Sequence, residues 1–361
     1  MIYFCPDLHI GRRLRNLAAL RDDGHEALRR LADVIVEDAH TVSGPHVVVL
    51  PGDVFDKSRA NGEELHIFRA FCERFPSAEF QIEALAGNHD MGNPAIPSAQ
   101  GVHSLDAQQI ESNGICLHGM DYCSRPELLE RLTQVPACDV LVLHCTMEHL
   151  APYEGAWTVS MEEIPAQVRN VVAGDIHQFS ITDLPDGRGK AVSPGVLFPG
   201  KMDEYVENGH GVVRWDGQSE WELLPIAVRR IERCTLFTEV DVSVLQNQLD
   251  KLPDIVEELR PVFDVRHVVE WSDTVDRMVR SYEGKAVIVG SIVGQFAEDS
   301  PNLLGDDAQK TTDELLAEEL AAEDDEDARQ FAKSLLHAAD TGELRKFLTE
   351  SVEQTLANIQ E

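Results

Sequence analysis

Short apolar runs and amphipathic stretches take turns through the first two hundred residues. Six runs read as strands: Ile2–Cys5, Val47–Leu50, Ile82–Ala86, Ile115–Leu117, Val140–Leu143 and Val171–Ala173. Between the first two, Leu28, Leu31, Ala32, Ile35 and Val36 recur at helical spacing within His25–His40, and Glu64–Phe75 reads as a second helix. Strand-then-helix alternation predicts an α/β layered domain. In such sheets functional groups gather just past the C-terminal strand ends.

Beyond about residue 225 the texture changes. Arg233–Val242 reads as a strand, Val244–Leu259 as a helix interrupted near Pro253, Val265–Trp271 as a strand, Thr274–Tyr282 as a helix and Ala286–Ser291 as a strand. This predicts a compact α+β module. Gln295–Asp307 is polar, with Ser300-Pro301 and Gly305, and Thr311 to Ile359 is acidic with helical spacing. There Leu344, Phe347, Leu348, Val352, Leu356 and Ile359 form an apolar stripe that Thr341 could cap. The expected division is a catalytic domain over 1–225, a capping module over 226–294, a linker over 295–310 and an acidic helical tail over 311–361.

Composition narrows the setting. No run of eighteen apolar residues occurs, and MIYFCPDLHIG reads as a strand, not as a signal peptide. The seven cysteines are scattered and form no C-x-x-C pair, which suits a reducing cytoplasm. The net charge is −33. Residues 298–361 hold 18 acidic and 5 basic residues, a net of −13, so −20 remains on the body. Such a chain is a poor stand-alone binder of DNA, because phosphate neutralisation drives that binding. If the substrate is a nucleic acid, metal ions or a partner must supply positive charge.

The chemistry lies at the strand ends. PDLHIG (6–11) follows the first strand with Asp7 and His9; i and i+2 on a strand share a face, so the pair could grip one object. PGDVFD (51–56) follows the second with Asp53 and Asp56. GNHD (87–90) follows the third with Asn88 and His89. His144 follows Val140–Leu143, and GDIH (174–177) follows Val171–Ala173 with Asp175 and His177. Each motif alone is weak; five in order, each at a strand end, form a signal. The donors are carboxylates, imidazoles and an amide, with no thiolate, and they match a dinuclear site for hard or borderline metals. Two such cations can bind a phosphate and lower the pKa of a water, which is the chemistry of phosphoester hydrolysis.

This set resembles the calcineurin-like metallophosphoesterase superfamily, whose ordered motifs are D-x-H, G-D, G-N-H-D/E, H and G-H-x-H. The resemblance implies an α/β fold with a layered β-sandwich core flanked by helices. It implies Asp7, His9 and His177 on one metal, Asn88, His144 and Asp175 on the other, and Asp53 bridging. His89 becomes the acid that protonates the leaving oxygen, and Asp56 the carboxylate that orients it. One departure is G-D-x-H, with Asp175 where the family usually has His. It should bias the site toward manganese or magnesium over zinc.

Within the superfamily, DLHIGRR, VVLPGDVFDKS, ICLHGMDY and AVSPGVLFPGKMDE (191–204) resemble the DNA double-strand-break-repair branch, the SbcD-type nuclease subunit. That branch implies a manganese-dependent DNA nuclease working in repair and recombination. Its partner would be an SbcC-type coiled-coil ATPase docked on the C-terminal helices, with a homodimer as a further expectation. The setting would be the nucleoid-associated cytoplasm, or a host cytoplasm for a viral chain. The alternative is a metallophosphodiesterase or phosphatase acting on nucleotides or phosphoproteins; the capping module and the tail favour the nuclease. Arg12, Arg13 and Arg15, after the first motif, could touch phosphates or form a solvated face.

Overall fold

In chain order the strands are β1 (Ile2–Phe4), β2 (His46–Leu50), β3 (Phe80–Ala84), β4 (Val102–Ser104), β5 (Gln109–Ser112), β6 (Ile115–Met120), β7 (Cys138–His144), β8 (Val168–Gly174), β9 (Ser180–Asp183), β10 (Lys190–Ser193), β11 (Gly211–Trp215), β12 (Glu222–Pro225), β13 (Ile231–Leu236), β14 (Val262–His267) and β15 (Val287–Ile292). The helices are α1 (Asp23–Ala39), α2 (Gly62–Cys72), α3 (Arg125–Leu132), α4 (Glu239–Asp250) and α5 (Asp273–Ser281). The computed structural model describes residues 1–292 except 15–19, 21, 92, 94–95, 97–100, 152–157, 237–238, 253–259, 268–272 and 283–284. Met1–Gly294 forms one compact unit. The expected linker over 295–310 and tail over 311–361, with the Leu344–Ile359 stripe, lie outside the described residues.

Two six-stranded sheets make the core, in the orders β12-β11-β1-β2-β3-β4 and β5-β6-β7-β8-β10-β9. The strands β1, β2, β3 and β4 run parallel, as do β6, β7, β8 and β10, while β11 closes against β1 antiparallel. The runs Val47–Leu50 and Val140–Leu143 are apolar at every step because both faces of these strands are covered. Ile2, Phe4, Val47 and Val49 point one way and meet Leu117, Val140, Val142 and Val172 of the second sheet. Tyr3, Val48 and Leu50 point the other way, onto Leu28, Leu31 and Ile35 of α1 and Phe68 and Phe71 of α2. Behind the second sheet, Leu141, Leu143, Val171 and Ala173 pack with Leu128 and Leu132 of α3. Each such side chain contributes about 1.5–3 kcal/mol on full burial. The result is the expected layered β-sandwich flanked by helices.

The third sheet is β13-β14-β15, parallel throughout, with Ile231, Val262 and Val287 in register. Phe263 and Val265 pack on Leu245 and Leu249 of α4. Val262 and Ile231 face Leu14, Leu20 and Met202. Near its start Arg229 grips the Asp23 carboxylate with two bonds of 2.5 and 2.6 Å. Boundaries here shift from expectation: the strand read as Val265–Trp271 begins at Val262, while the strand read as Arg233–Val242 ends at Leu236 and α4 begins at Glu239 inside it. The β-branched run there reads as strand, but burying Leu245 and Leu249 sets a helix across it.

Parallel strands that all point one way bring their C-terminal ends to one edge. The loops after β1, β2 and β3 meet the ends of β7 and β8 there.

Candidate metal centre

Asp7 and His9 do not lie on a strand. β1 ends at Phe4, and the chain beyond it is held by isolated bridges, Asp7 to Val196 and Ile10 to Phe55. Asp7 N–H donates to Gly195 O, and His9 N–H donates to Asp53 O, each at 2.9 Å. The pair converges through this threading and not through strand alternation. Three of the expected ligands have left-handed backbones: His9 at φ 43°, Asp53 at φ 47° and Asp175 at φ 81°. Non-glycine residues rarely adopt such angles, and they cluster where surrounding structure over-determines them. Gly87 permits the approach: a Cβ there would lie 2.1 Å from Asp53 Oδ1.

All seven expected ligands come together. Asp7, His9 and His177 offer donor atoms within 4.8 Å of one another. His9 Nε2 and His177 Nε2 are 3.0 Å apart. On the other side His144 Nε2 lies 3.0 Å from Asn88 Oδ1 and 3.9 Å from Asp175 Oδ1. Asp53 stands between the groups, with Oδ2 at 3.6 Å from His9 Nε2 and Oδ1 at 3.4 Å from His144 Nε2. Asp7 Oδ2 accepts the Asp175 N–H at 2.9 Å, and Thr146 Oγ1 donates to the Asp175 carboxylate.

Protonation tests whether a cation fits. His144 Nδ1 donates to the Pro51 carbonyl at 2.9 Å, so its Nε2 carries a lone pair. That lone pair faces three oxygens, of Asn88, Asp53 and Asp175, and all of them are acceptors. A cation must stand among them. A proton is one answer: burial opposes a charged His144, but Asp53, Asp7 and Asp175 outweigh it and lift its pKa to about 9. Burial pushes the Asp7 carboxyl well above the usual range, and Asp53 and Asp175 add to the push. Burial also draws Asp53 upward, but His144 and His9 hold it below its ordinary value. His9 is pulled down to about 3 by burial, against the attraction of Asp53. Asp7 Oδ1 and His9 Nδ1 are buried with no hydrogen-bond partner among the described residues. Concentrated carboxylates, imidazoles and unsatisfied buried acceptors are a donor set suited to divalent cations.

His89 sits beside this set, its ring 5.0 Å from that of His9 and nearly perpendicular to it. Its Nδ1 donates to the main-chain carbonyl of Asp56 at 2.7 Å. The orienting atom is thus the Asp56 carbonyl, while the Asp56 carboxylate lies 3.7 Å from His9 Nδ1. The same three residues, His9, Asp56 and His89, also offer donors within 4.8 Å of one another.

Three supporting residues were not singled out in the sequence. Asp90, the last letter of GNHD, accepts the backbone N–H groups of Val54, Phe55 and Gly87 at 3.0 to 3.1 Å and staples the Asp53 loop to the Asn88 loop. Burial outweighs those bonds and lifts its carboxyl to about 6. Asp121 accepts Ala86 N–H at 2.7 Å. Glu204, the last letter of AVSPGVLFPGKMDE, accepts from Arg12 and from His177 Nδ1, each at 2.8 Å. Burial works against its charge, yet His177 and Arg12 hold it at about 2. Arg12 is therefore engaged inside the site and is not part of a solvated face.

A helix-flanked β-sandwich that gathers carboxylates, imidazoles and an amide at its strand ends defines a metal-dependent phosphoester hydrolase. The chain belongs to the calcineurin-like phosphoesterase family, whose model matches residues 1–186 and so contains every motif of the site. The relatives it resembles are DNA double-strand break repair proteins named Mre11. That of Sulfurisphaera tokodaii is 25% identical over 289 residues, 73% of this chain and 72% of its own. That of Saccharolobus solfataricus is 22% identical over 281 residues, covering 71% and 70%. That of Nanoarchaeum equitans is 29% identical over 90 residues, covering 25% and 24%. Among the described residues no helix is long and apolar enough to cross a membrane, and no disulfide forms.

Proposed function

We propose that this phosphoesterase is a DNA nuclease of double-strand break repair, working on two divalent metal ions and with a coiled-coil ATPase partner. The observation that carries it is Asp53, whose two oxygens face two separate ligand groups at 3.6 and 3.4 Å. Asp7, His9 and His177 would hold one ion; Asn88, His144 and Asp175 would hold the other. When bound, such ions bind the phosphodiester, activate a water and stabilise the charge that builds on phosphate oxygens. His89 supplies the proton. Its Nδ1–H is tied to the Asp56 carbonyl, so Nε2 is the nitrogen left to carry a transferable hydrogen. Asp90 keeps the loops of Asp53 and His89 in fixed relation. Three carboxylates and an amide beside three imidazoles, without thiolate, favour manganese over zinc.

The likeness to double-strand break repair proteins supports DNA as substrate. The charge of −33 supports a partner, since the chain alone has little with which to hold phosphates. In this reading residues 1–225 are the nuclease, 226–294 cap it, 295–310 link, and 311–361 dock a coiled-coil ATPase in the cytoplasm. Cleavage of single- and double-stranded DNA beside a generic phosphodiester, with manganese, tests the reading. DNA cutting lost on Asp53→Asn supports it. Turnover of nucleotides or phosphopeptides with no DNA cutting would make the chain a phosphatase instead.

A further inference from the structure

We infer that Glu204 is a positioning residue: its carboxylate fixes the ring tautomer of His177, and with it the place of the proton shared by His177 and His9. Its consequence for metal retention rests on the proposed function; its geometry does not.

Glu204 belongs to none of the metal motifs, yet its side chain is only 9% exposed. Four donors converge on it. Oε1 accepts from Arg12 Nη2 and from His177 Nδ1, each at 2.8 Å. Oε2 accepts the backbone N–H groups of Gly200 at 2.8 Å and Lys201 at 3.0 Å. The two backbone bonds set the carboxylate plane and aim the other oxygen at His177. Gly200 is required for the packing, because a Cβ there would lie 1.9 Å from Arg12 Nε. One short segment thus ties the loop after β1 to the loop after β8.

His177 Nδ1 has two neighbours that ask opposite things of it. Glu204 can only accept, at 2.8 Å. Arg12 Nη1 can only donate, at 3.5 Å. A charge-assisted bond at the shorter distance prevails, so Nδ1 carries the hydrogen and Nε2 presents a lone pair. That Nε2 lies 3.0 Å from His9 Nε2, and only one proton fits between them. With His177 an acceptor, the proton belongs to His9 in the metal-free chain. His9 Nδ1 is then a bare lone pair, which accounts for its being buried with no hydrogen-bond partner. A cation held by His9 and His177 would require His9, and not His177, to release its Nε2 proton to solvent. His9 then takes one up at Nδ1, which faces Asp56 Oδ1 at 3.7 Å. Glu204 makes His177 a ready ligand; a neutral acceptor in its place would leave both tautomers open.

The test uses the full chain with nitrogen-15-labelled histidine, stripped of metal, at mildly alkaline pH. Long-range proton–nitrogen correlation reads which ring nitrogen carries hydrogen. His177 is expected as the Nδ1–H form and His9 as the Nε2–H form. A wild-type His177 in the Nε2–H form overturns the inference without any variant. In Glu204→Gln, His177 should populate both forms, the His144 ring signals should be unchanged, and manganese affinity by calorimetry should fall about 10- to 100-fold. Glu204→Asp should recover part of the loss. An unchanged tautomer with unchanged affinity in Glu204→Gln overturns the role. If the wild type takes up no divalent metal, the metal reading fails, and the tautomers of the metal-free chain still decide the role of Glu204.

Discussion

His144 Nε2 lies 3.0 Å from Asn88 Oδ1, and with His144 Nδ1 committed to the Pro51 carbonyl neither facing atom can donate. In the metal-free chain a proton on Nε2 resolves this; burial opposes that proton, but the carboxylates of Asp53, Asp7 and Asp175 outweigh burial and lift the His144 pKa to about 9. The folded pKa exceeds the unfolded one near 6.5, so this proton stabilises the metal-free fold fully below that value. The contribution is lost as pH rises through about 9. A divalent ion must displace the proton. Manganese affinity should therefore rise with pH up to about 9, and binding at neutral pH should release protons. Calorimetry in buffers of different ionisation enthalpy reads this directly. Affinity independent of pH would remove His144 from the ligand set.

His89 and Asp56 should separate cleanly. His89→Ala should lower DNA cleavage by about a hundred- to ten-thousand-fold while manganese binding persists. Asp56→Ala keeps the carbonyl that orients His89 and removes only the carboxylate that faces His9. It should spare the acid step and weaken metal retention. Cleavage at saturating manganese, set beside metal affinity, distinguishes the two; loss of metal in His89→Ala would make His89 a ligand.

Asp90 is expected to matter for stability first. It is 1% exposed and satisfies three backbone N–H groups. Asp90→Ala strands those donors, at a cost of about 2 to 5 kcal/mol. Urea unfolding of the metal-free chain measures it. A variant as stable as the parent would mean that the Asp53 and Asn88 loops hold without this staple.

The metal motifs were legible because a parallel sheet delivers its strand ends to one edge, so the order Asp7, Asp53, Asn88, His144, Asp175 in the chain maps onto one place in space. The apolar runs of β2, β7 and β8 were legible for the same reason, being covered on both faces. Glu204 was not, since its partners Arg12 and His177 are 192 and 27 residues away and no local spacing marks them. β11, which closes the first sheet against β1, was missed because a late strand pairs with the first only through tertiary packing. Asp56 does lie beside His89, but the atom that meets the ring is its carbonyl and not the expected carboxylate, a distinction that a sequence letter does not specify.

The acidic tail carries its own prediction from the stripe Leu344, Phe347, Leu348, Val352, Leu356 and Ile359. Apolar residues at this spacing would suit a helix laid into a groove, a common recognition mode. Deleting residues 308–361 should leave metal binding and hydrolysis of a small phosphodiester intact. It should abolish co-purification with a coiled-coil ATPase and ATP-stimulated cutting of duplex DNA. A truncated chain that still captures the ATPase would place docking elsewhere.

The most direct test of the two-ion site is anomalous scattering from crystals of the chain soaked in manganese. Two peaks should flank Asp53, one against Asp7, His9 and His177 and the other against Asn88, His144 and Asp175, and both should weaken in Asp53→Asn. A single peak, or one held by His9, Asp56 and His89 with nothing between Asp53 and His144, would contradict it.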